Sequence, residues 1–363
     1  MGLKCGIIGL SKSGKTTLFN CISNTKAQAS GYEFSATKSN LGQVYVPDPR
    51  LQILSDLCKS QKIVPVTVDI VDIPGLTKGG QESGGNKFLA EIQQTDAIIH
   101  VLRCFDDPTL PHPEGSVDPV RDKENVDFEL QIRDLGLIER KIAKLEKQSK
   151  VGDKDAKKGM EVLMGFIKHL EDFKPMRTLE ASKEDRKWIE DMFLLSDKPV
   201  IYVCNVDDAS ALSGNAYVDR VIEAVKGENA EVLIVAGQLE AEIAALEDPD
   251  DRKVFLEDAG LKEPGVDRLV RTAYKILNLM SFFTVGPKET HAWTIHRGMT
   301  GPQAAGIIHS DLERGYIRAE VIKYDDFVHY KSELACRDHG KISVEGKNYI
   351  VSDGDLLNIR FNV

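Results

Sequence analysis

Gly9 to Thr16 reads GLSKSGKT, a complete G-x-x-x-x-G-K-[ST] pattern that follows a short apolar run and precedes the helix-like TTLFNCISN. That context is what phosphate chemistry requires. Backbone amides of Ser11, Lys12, Ser13, Gly14, Lys15 and Thr16 in such a turn can surround a β-phosphate, and the positive end of the following helix reinforces them. Lys15 is expected to neutralise β- and γ-oxygens, the Thr16 hydroxyl to ligate Mg2+, and Thr17 to stand beside them. About 57 residues beyond Lys15, VTVDIVDIPG supplies a strand that ends in Asp72 and then Gly75. The Asp72 carboxylate can hold magnesium through water, and the Gly75 amide can face the γ-phosphate. The glycine-rich GLTKGGQESGGN that follows is expected to be a switch segment ordered by that phosphate.

A base reader is the third requirement. In translational and Ras-like GTPases an Asn-Lys-x-Asp motif reads guanine: the Asp carboxylate accepts two base N–H groups and the Lys stem packs on the ring. Here VCNVDD keeps Asn205 and Asp208, with Val206 in place of the lysine. AGQLEAE follows, and its Ala236, Gly237 and Gln238 occupy the place of the last base-contact loop.

These pieces need a scaffold that brings strand ends together. Residues 3–10, VTVDIVDIPG, DAIIHVLRCF, PVIYVCN and EVLIVAG read as strands, separated by the helical TTLFNCISN, NKFLAEIQQT and YVDRVIEAVK. Such alternation implies a parallel sheet covered on both faces. Between about 124 and 195 the period changes. Leu135, Ile138, Ile142 and Leu145, then Leu163, Phe166, Leu170 and Phe173, follow 3-4-3 spacing around a polar link, which predicts an inserted antiparallel helical hairpin of coiled-coil character. From about Ser281 short strands and turns such as SDGD indicate a small α+β module. The expected fold is therefore α/β: a P-loop G-domain with a parallel-rich sheet over 1–123 and 196–280, a hairpin over 124–195, and a C-terminal domain over 281–363.

Composition narrows the class. The 363 residues are 42% hydrophobic and 29% charged, as in a soluble globular protein. No apolar run approaches the roughly 18 residues that span a bilayer, so a cytoplasmic protein without membrane contact is expected. Six scattered cysteines form no C-x-x-C pair, and buried thiols are the expected state. A net charge of −10 argues against a generally nucleic-acid-coated surface, yet residues 139–158 carry eight basic side chains (Arg140 and Lys141, 144, 147, 150, 154, 157 and 158) against four acidic ones. Either this is a solvated helix face or it contacts phosphates of ribosomal RNA.

With VPDPRL (46–51), DIPGL, GNKFLAEI, DAIIHVLRCF and GSVDP, and above all with AWTIHRGMTGPQAAGIIHSDLERGYIRAEVI and DGDLLNIRFNV in the tail, the chain resembles the YchF / Obg-like ATPase family along nearly its whole length. The resemblance implies a G-domain, the inserted hairpin, a β-grasp-like TGS domain at the C-terminus, association with ribosomes, and ATP in preference to GTP. It also implies that His112, in PTLPHPEGSVDP, matches a loop histidine implicated in hydrolysis, where an imidazole could orient or deprotonate water. Leu76 stands where Ras-like enzymes place a water-orienting Gln, a trait of the family. Three departures stand out. Asp208 replaces the family's longer Glu at the base site, which leaves GTP open beside the expected ATP. YEFSATKSN (32–40) puts Ala36 where a magnesium-binding Thr is expected, so Thr37 or Ser35 would have to substitute. SKSGKT replaces PNVGKS in the P-loop. The rival reading is a nucleotide-gated binding or stress-regulatory protein in which hydrolysis is incidental.

Overall fold

A computed structural model describes residues 3–30, 41–73 and 84–362. Along the chain its elements begin with β1 (Leu3–Ile8), α1 (Lys15–Ser30), β2 (Leu41–Tyr45), α2 (Pro49–Cys58), β3 (Lys62–Val64), β4 (Thr67–Asp72), α3 (Gly84–Gln93), β5 (Ala97–Arg103), α4 (Pro119–Ser149) and α5 (Lys154–Glu171). A short turn of helix, α6 (Lys183–Arg186), leads to β6 (Val200–Asn205), α7 (Ala216–Ala224), β7 (Glu231–Val235), α8 (Gly237–Ala245), α9 (Pro249–Asp258) and α10 (Gly265–Ile276). The last part holds β8 (Leu279–Val285), β9 (Glu289–His296), α11 (Gly301–Ile308), α12 (Ser310–Arg314), β10 (Tyr316–Ile322), α13 (Tyr324–Tyr330), α14 (Glu333–Asp338), β11 (Ile342–Glu345) and β12 (Leu356–Phe361). The chain divides into two compact units, Met1–Val44 with Asp69–Leu269, and Tyr45–Val68 with Val270–Val363. No helix among the described residues is long and apolar enough to cross a membrane.

The first unit is built on the sheet β2-β4-β1-β5-β6-β7. The β1–β5, β5–β6 and β6–β7 pairs are parallel. Every residue of AIIHVLR in β5 and of VIYVCN in β6 is buried, as unbroken apolar runs require when helices cover both faces. On one face Phe88, Val126, Leu130, Val218 and Val221 pack on these strands. α1 packs against α8.

The helical pair is α4 and α5. Asp118 caps α4 by accepting from the Arg121 amide at 3.3 Å, with Pro119 at the first helical position, and Asp153 caps α5 through the Asp155 amide at 2.9 Å. Ile138, Leu145, Leu163, Phe166 and Leu170 are buried between the helices and the segment that returns to β6. Phe173 is a correction to the 3-4-3 reading. It falls just past the end of α5 at φ 58, and its ring is 71% exposed. The helix expected from about 124 begins at Pro119, and the pair clusters with the first unit, as an insertion in it would.

The second unit holds the sheet β11-β10-β12-β8-β9-β3, antiparallel at β8–β9, β10–β12 and β10–β11 and parallel at β12–β8 and β3–β9. Ala304 and Ala305 of α11 are buried with Phe282, Ile295 and Val321 on this sheet, the β-grasp arrangement. Residues 45–68, expected within the first domain, belong here. β3 adds to the edge of β9, the Ser60 hydroxyl donates to the Gly286 carbonyl at 2.7 Å, and Leu51 and Leu54 are buried with Phe283. The expected boundary at 281 falls inside β8, whose seven-residue run pairs with β9 throughout.

Candidate nucleotide site

A cavity of about 580 Å3 opens at the carboxyl ends of β1, β5 and β6, where a sheet of this kind leaves a crevice between its connections. The turn after β1 contributes Lys12, Gly14, Lys15, Thr16 and Thr17 to it; the segment after β6 contributes Asn205, Val206 and Asp208; the start of α8 contributes Gly237 and Gln238. Three stretches separated by up to about 220 residues of sequence are thus brought to one place. Ser11, Ser13 and Ala236 belong to the same turns but do not line the cavity. The Ser13 hydroxyl is buried and has no hydrogen-bond partner among the described residues. Gly75 and Thr37, with Ser35, Ala36 and Leu76, lie outside the described residues.

The turn is held in a form that few residue types accept. Gly14 has φ +98, and a Cβ there would stand 2.1 Å from Asn205 Nδ2, so both its backbone and its surroundings exclude a side chain. Lys12 is left-handed at φ 65 and donates from Nζ to the Pro111 carbonyl at 3.1 Å. Lys15 is buried, its Nζ donating to Gly9 O at 3.0 Å and Leu10 O at 2.7 Å. These carbonyls occupy the donors that phosphate oxygens would take. Burial holds the Lys15 amine below its ordinary range, with Asp72 opposing. Burial likewise pushes the Asp72 carboxyl up, while Lys15 and a hydrogen bond from the Thr16 side chain pull it down.

Asn205 ties two walls together. Its Nδ2 donates to Ser13 O at 2.9 Å and its Oδ1 accepts from the Gly237 amide at 2.9 Å. Val206 is buried in the core with its amide bound to Val235 O at 2.9 Å, whereas Asp208 is exposed at the start of a short 3-10 turn capped by Asp207.

A further wall comes from the segment after β5, with Phe105, Asp106, Asp107 and Leu110, none of which was picked out from the sequence for this role; Asp207 was missed as well. Arg103, 2% exposed, shapes that segment by donating to Phe105 O at 3.2 Å and Leu110 O at 2.8 Å, with its guanidinium 4.8 Å from the Phe105 ring centroid. Asp107 closes the turn by accepting from the Thr109 amide at 2.8 Å and hydroxyl at 2.7 Å. The D-P-T spacing was the signal available for that turn.

His112 does not line the cavity. Its Nδ1 accepts from the Glu114 amide at 3.1 Å, which puts the ring proton on Nε2, and Nε2 donates to Asp122 Oδ2 at 2.9 Å. Both side chains are 4% exposed. In this arrangement neither nitrogen offers a lone pair to water, and the imidazole instead fastens the loop to the first turn of α4.

A magnesium ion fits what is present. The Thr16 hydroxyl and Asp72 carboxylate are a hydrogen-bonded pair of hard oxygen donors beside the P-loop lysine, and Mg2+ takes one or two protein oxygens together with phosphate oxygens and water. Among the described residues no cluster of three His, Cys, Asp or Glu side chains could hold a metal without such help.

Comparison with known proteins gives the same picture over the whole chain. A family model described as a 50S ribosome-binding GTPase matches residues 4–145, and that of the YchF GTPase C-terminal family, described as a protein of unknown function, matches 279–362. The Ribosome-binding ATPase YchF of Pasteurella multocida is 44% identical over 365 residues, covering 100% of both chains, and that of Bacillus subtilis is 42% identical over 367 residues with the same coverage. The solved structure of the Schizosaccharomyces pombe YchF GTPase superposes with a TM-score of 0.89 at 30% identity, covering 99% of this chain and 98% of that one. With identity spread over the full length of both partners and a P-loop cavity at the strand ends, this chain belongs to the YchF family.

Proposed function

We propose that the chain is a magnesium-dependent P-loop NTPase that hydrolyses ATP to ADP and phosphate and works in the cytoplasm as a nucleotide switch on ribosomes. The observation that carries this reading is one cavity lined by both the P-loop and the NVDD segment, with Asp72 hydrogen-bonded to Thr16 of its lining. The relatives named as ribosome-binding ATPases support the choice of ATP and of the ribosome.

Lys15 exchanges the Gly9 and Leu10 carbonyls for β- and γ-phosphate oxygens, turning two neutral acceptors into charged ones. P-loop amides from Ser11 to Thr17 hold the phosphates, and Asn205 keeps that turn in register with Ala236, Gly237 and Gln238. Thr16 and Asp72 would hold the magnesium, with Thr37 as the proposed ligand from the first switch. When bound, the ion neutralises charge on the β- and γ-oxygens. Gly75 faces the γ-phosphate. Phe105 and Leu110 give the base an apolar wall, and Val206 and Asp208 stand at its edge. His112 is assigned to positioning the loop, because both of its nitrogens are engaged; a role on water would first require the Glu114 bond to open.

GTP is a second reading on one observation. Asp208 is exposed at the rim with a carboxylate of the type that accepts two guanine N–H groups. Calorimetry of ATP and GTP binding with magnesium, on the wild type and on Asp208→Glu, decides between them. A clear preference for ATP in both supports the proposal. A preference for GTP that the Glu substitution reverses assigns the base to Asp208 and overturns ATP.

A further inference from the structure

A second cavity of the first unit, about 550 Å3, opens between the start of α4, the end of α5 and α7. Its floor is a closed quartet of charges. Lys123 Nζ pairs with Asp127 Oδ2 at 2.8 Å and Glu228 Oε1 at 2.6 Å, and Arg177 pairs with Glu228 Oε2 at 2.8 Å and Asp127 Oδ1 at 3.4 Å. The Tyr202 hydroxyl donates to Glu228 at 2.8 Å. Two cations and two carboxylates cancel, so this floor has no free charge to offer a ligand.

Two polar side chains of the lining make no hydrogen bond to the described residues. Gln131 is 5% exposed, lines the space, and its amide makes no hydrogen bond to any described residue. Glu124 also lines the cavity and is likewise unpaired among the described residues. The mouth is aromatic: Phe128 and Phe173 are 45% and 71% exposed, and their rings stack at 5.9 Å and 29°. Phe173 holds a left-handed φ of 58, a conformation that glycine would accept without strain. The turn itself therefore does not call for the ring.

Charge selects the class of ligand. Lys123, the cation in the lining, is fully engaged by the quartet, while the Glu124 carboxylate is unmatched. A phosphate-bearing ligand would find no free cation there and one opposing carboxylate. A planar cation is matched on every side. We propose that this cavity is a docking pocket for an arginine side chain of a basic protein partner, the guanidinium extending the Phe128–Phe173 stack and donating to Gln131 Oε1 and the Glu124 carboxylate. Guanidinium suits both demands, because it stacks on rings and presents several N–H donors in one plane. A lysine ammonium can also sit over a ring but lacks the planar fork of donors.

The test uses the full chain labelled with fluorophenylalanine and titrated with acetyl-Gly-Arg-Gly-amide, the same tripeptide with citrulline for arginine, and adenosine monophosphate. The arginine peptide should shift the Phe128 and Phe173 fluorine signals saturably, and the citrulline peptide, of equal shape without charge, should bind about tenfold more weakly. Phe173→Gly, which suits the backbone, and Gln131→Leu, which keeps volume and removes an unpartnered amide, should retain the wild-type melting temperature. Each should weaken the arginine peptide by about tenfold, with Phe128 as the reporter in the first. Absence of a saturable shift, undiminished binding by both variants, or a stronger shift from adenosine monophosphate would overturn the proposal. ATP affinity measured on the same samples reports separately on the nucleotide site.

Discussion

Because Asn205 commits both ends of its amide to backbone, donating to Ser13 O and accepting from the Gly237 N–H, its loss would leave two buried groups unpaired at opposite walls of the nucleotide cavity. Asn205→Ala should weaken ATP about 30-fold or more, given roughly 1–3 kcal/mol for each of the two unsatisfied groups; calorimetry would read this, and unchanged affinity would show that the tie is dispensable. For His112 the geometry predicts parity. His112→Ala and Asp122→Ala both release the loop from α4, so both should slow turnover to a similar extent, about tenfold, well short of the roughly 100-fold or more expected from losing a general base. A far larger loss in the histidine variant alone would return the imidazole to the attacking water. His100 is a pH sensor of stability. It is fully buried in β5, its Nε2 has no hydrogen-bond partner among the described residues, and burial pushes its imidazole from 6.5 down to about 4, against the pull of Asp127. The folded state keeps it neutral while the unfolded chain takes up a proton below about pH 6.5, so its contribution is complete above that pH and fades towards pH 4. On the order of 3 kcal/mol is involved. Asp134 works in the opposite sense: burial raises it to about 6, and its contribution, present at low pH, is lost as pH rises through that value. Urea unfolding of wild type against His100→Phe isolates the histidine, and the wild type should lose stability relative to the variant as pH falls from about 6.5 to 4.

At the scale of elements, α5 carries a glycine where a helix would ordinarily favour alanine. A Cβ on Gly159 would stand 2.6 Å from the Trp188 ring, which packs on that face together with Leu163 and Ile189. Gly159→Ala should therefore destabilise by about 1–3 kcal/mol through overpacking, outweighing the roughly 1 kcal/mol that alanine gains in helix propensity. A urea midpoint that rises instead would mean the indole moves aside at little cost. The same helix pair shows where sequence reading succeeds. Periodicity at Ile138, Leu145, Leu163, Phe166 and Leu170 reports a buried stripe directly, because each of these positions is set by the local 3.6-residue period. Phe173 continues the count but lies past the last turn, where the period no longer governs direction. The unbroken apolar runs of β5 and β6 were legible for the same local reason. The placement of 45–68 was not: the caps at Asp48 and Pro49 are visible in VPDPRL, yet the pairing of β3 with β9 joins residues more than two hundred apart and leaves no pattern in either strand. In the nucleotide site the P-loop and NVDD were legible because backbone geometry demands those residue types. Phe105 and Leu110 were not, since the buried Arg103 that shapes their loop reads in sequence as an ordinary charged residue at a strand end.

For the molecule as a whole, a net charge of −10 coexists with an excess of four positive charges over residues 139–158, and the proposed ribosome association turns on whether those charges are free. Two of the eight are not. Lys141 Nζ is held by Asp191 at 2.5 Å and by the Trp188 carbonyl at 2.6 Å, and Lys150 pairs with Glu146 at 2.9 Å. Arg140, Lys144, Lys147, Lys154, Lys157 and Lys158 are exposed, the arrangement a phosphate-contacting surface needs. If they meet ribosomal RNA, changing Lys144, Lys147, Lys157 and Lys158 together to Gln should weaken ribosome binding and flatten the slope of log affinity against log salt by about three, at roughly 0.7–0.9 for each lost phosphate contact. Lys141→Gln should behave differently, lowering the urea midpoint through its lost tie to the Trp188 segment while leaving the salt slope near that of the wild type. Co-sedimentation with ribosomes across a salt series measures both variants. A fourfold variant with an unchanged slope would make the patch a solvated helix face, and ribosome binding would then have to be carried by the rest of the chain.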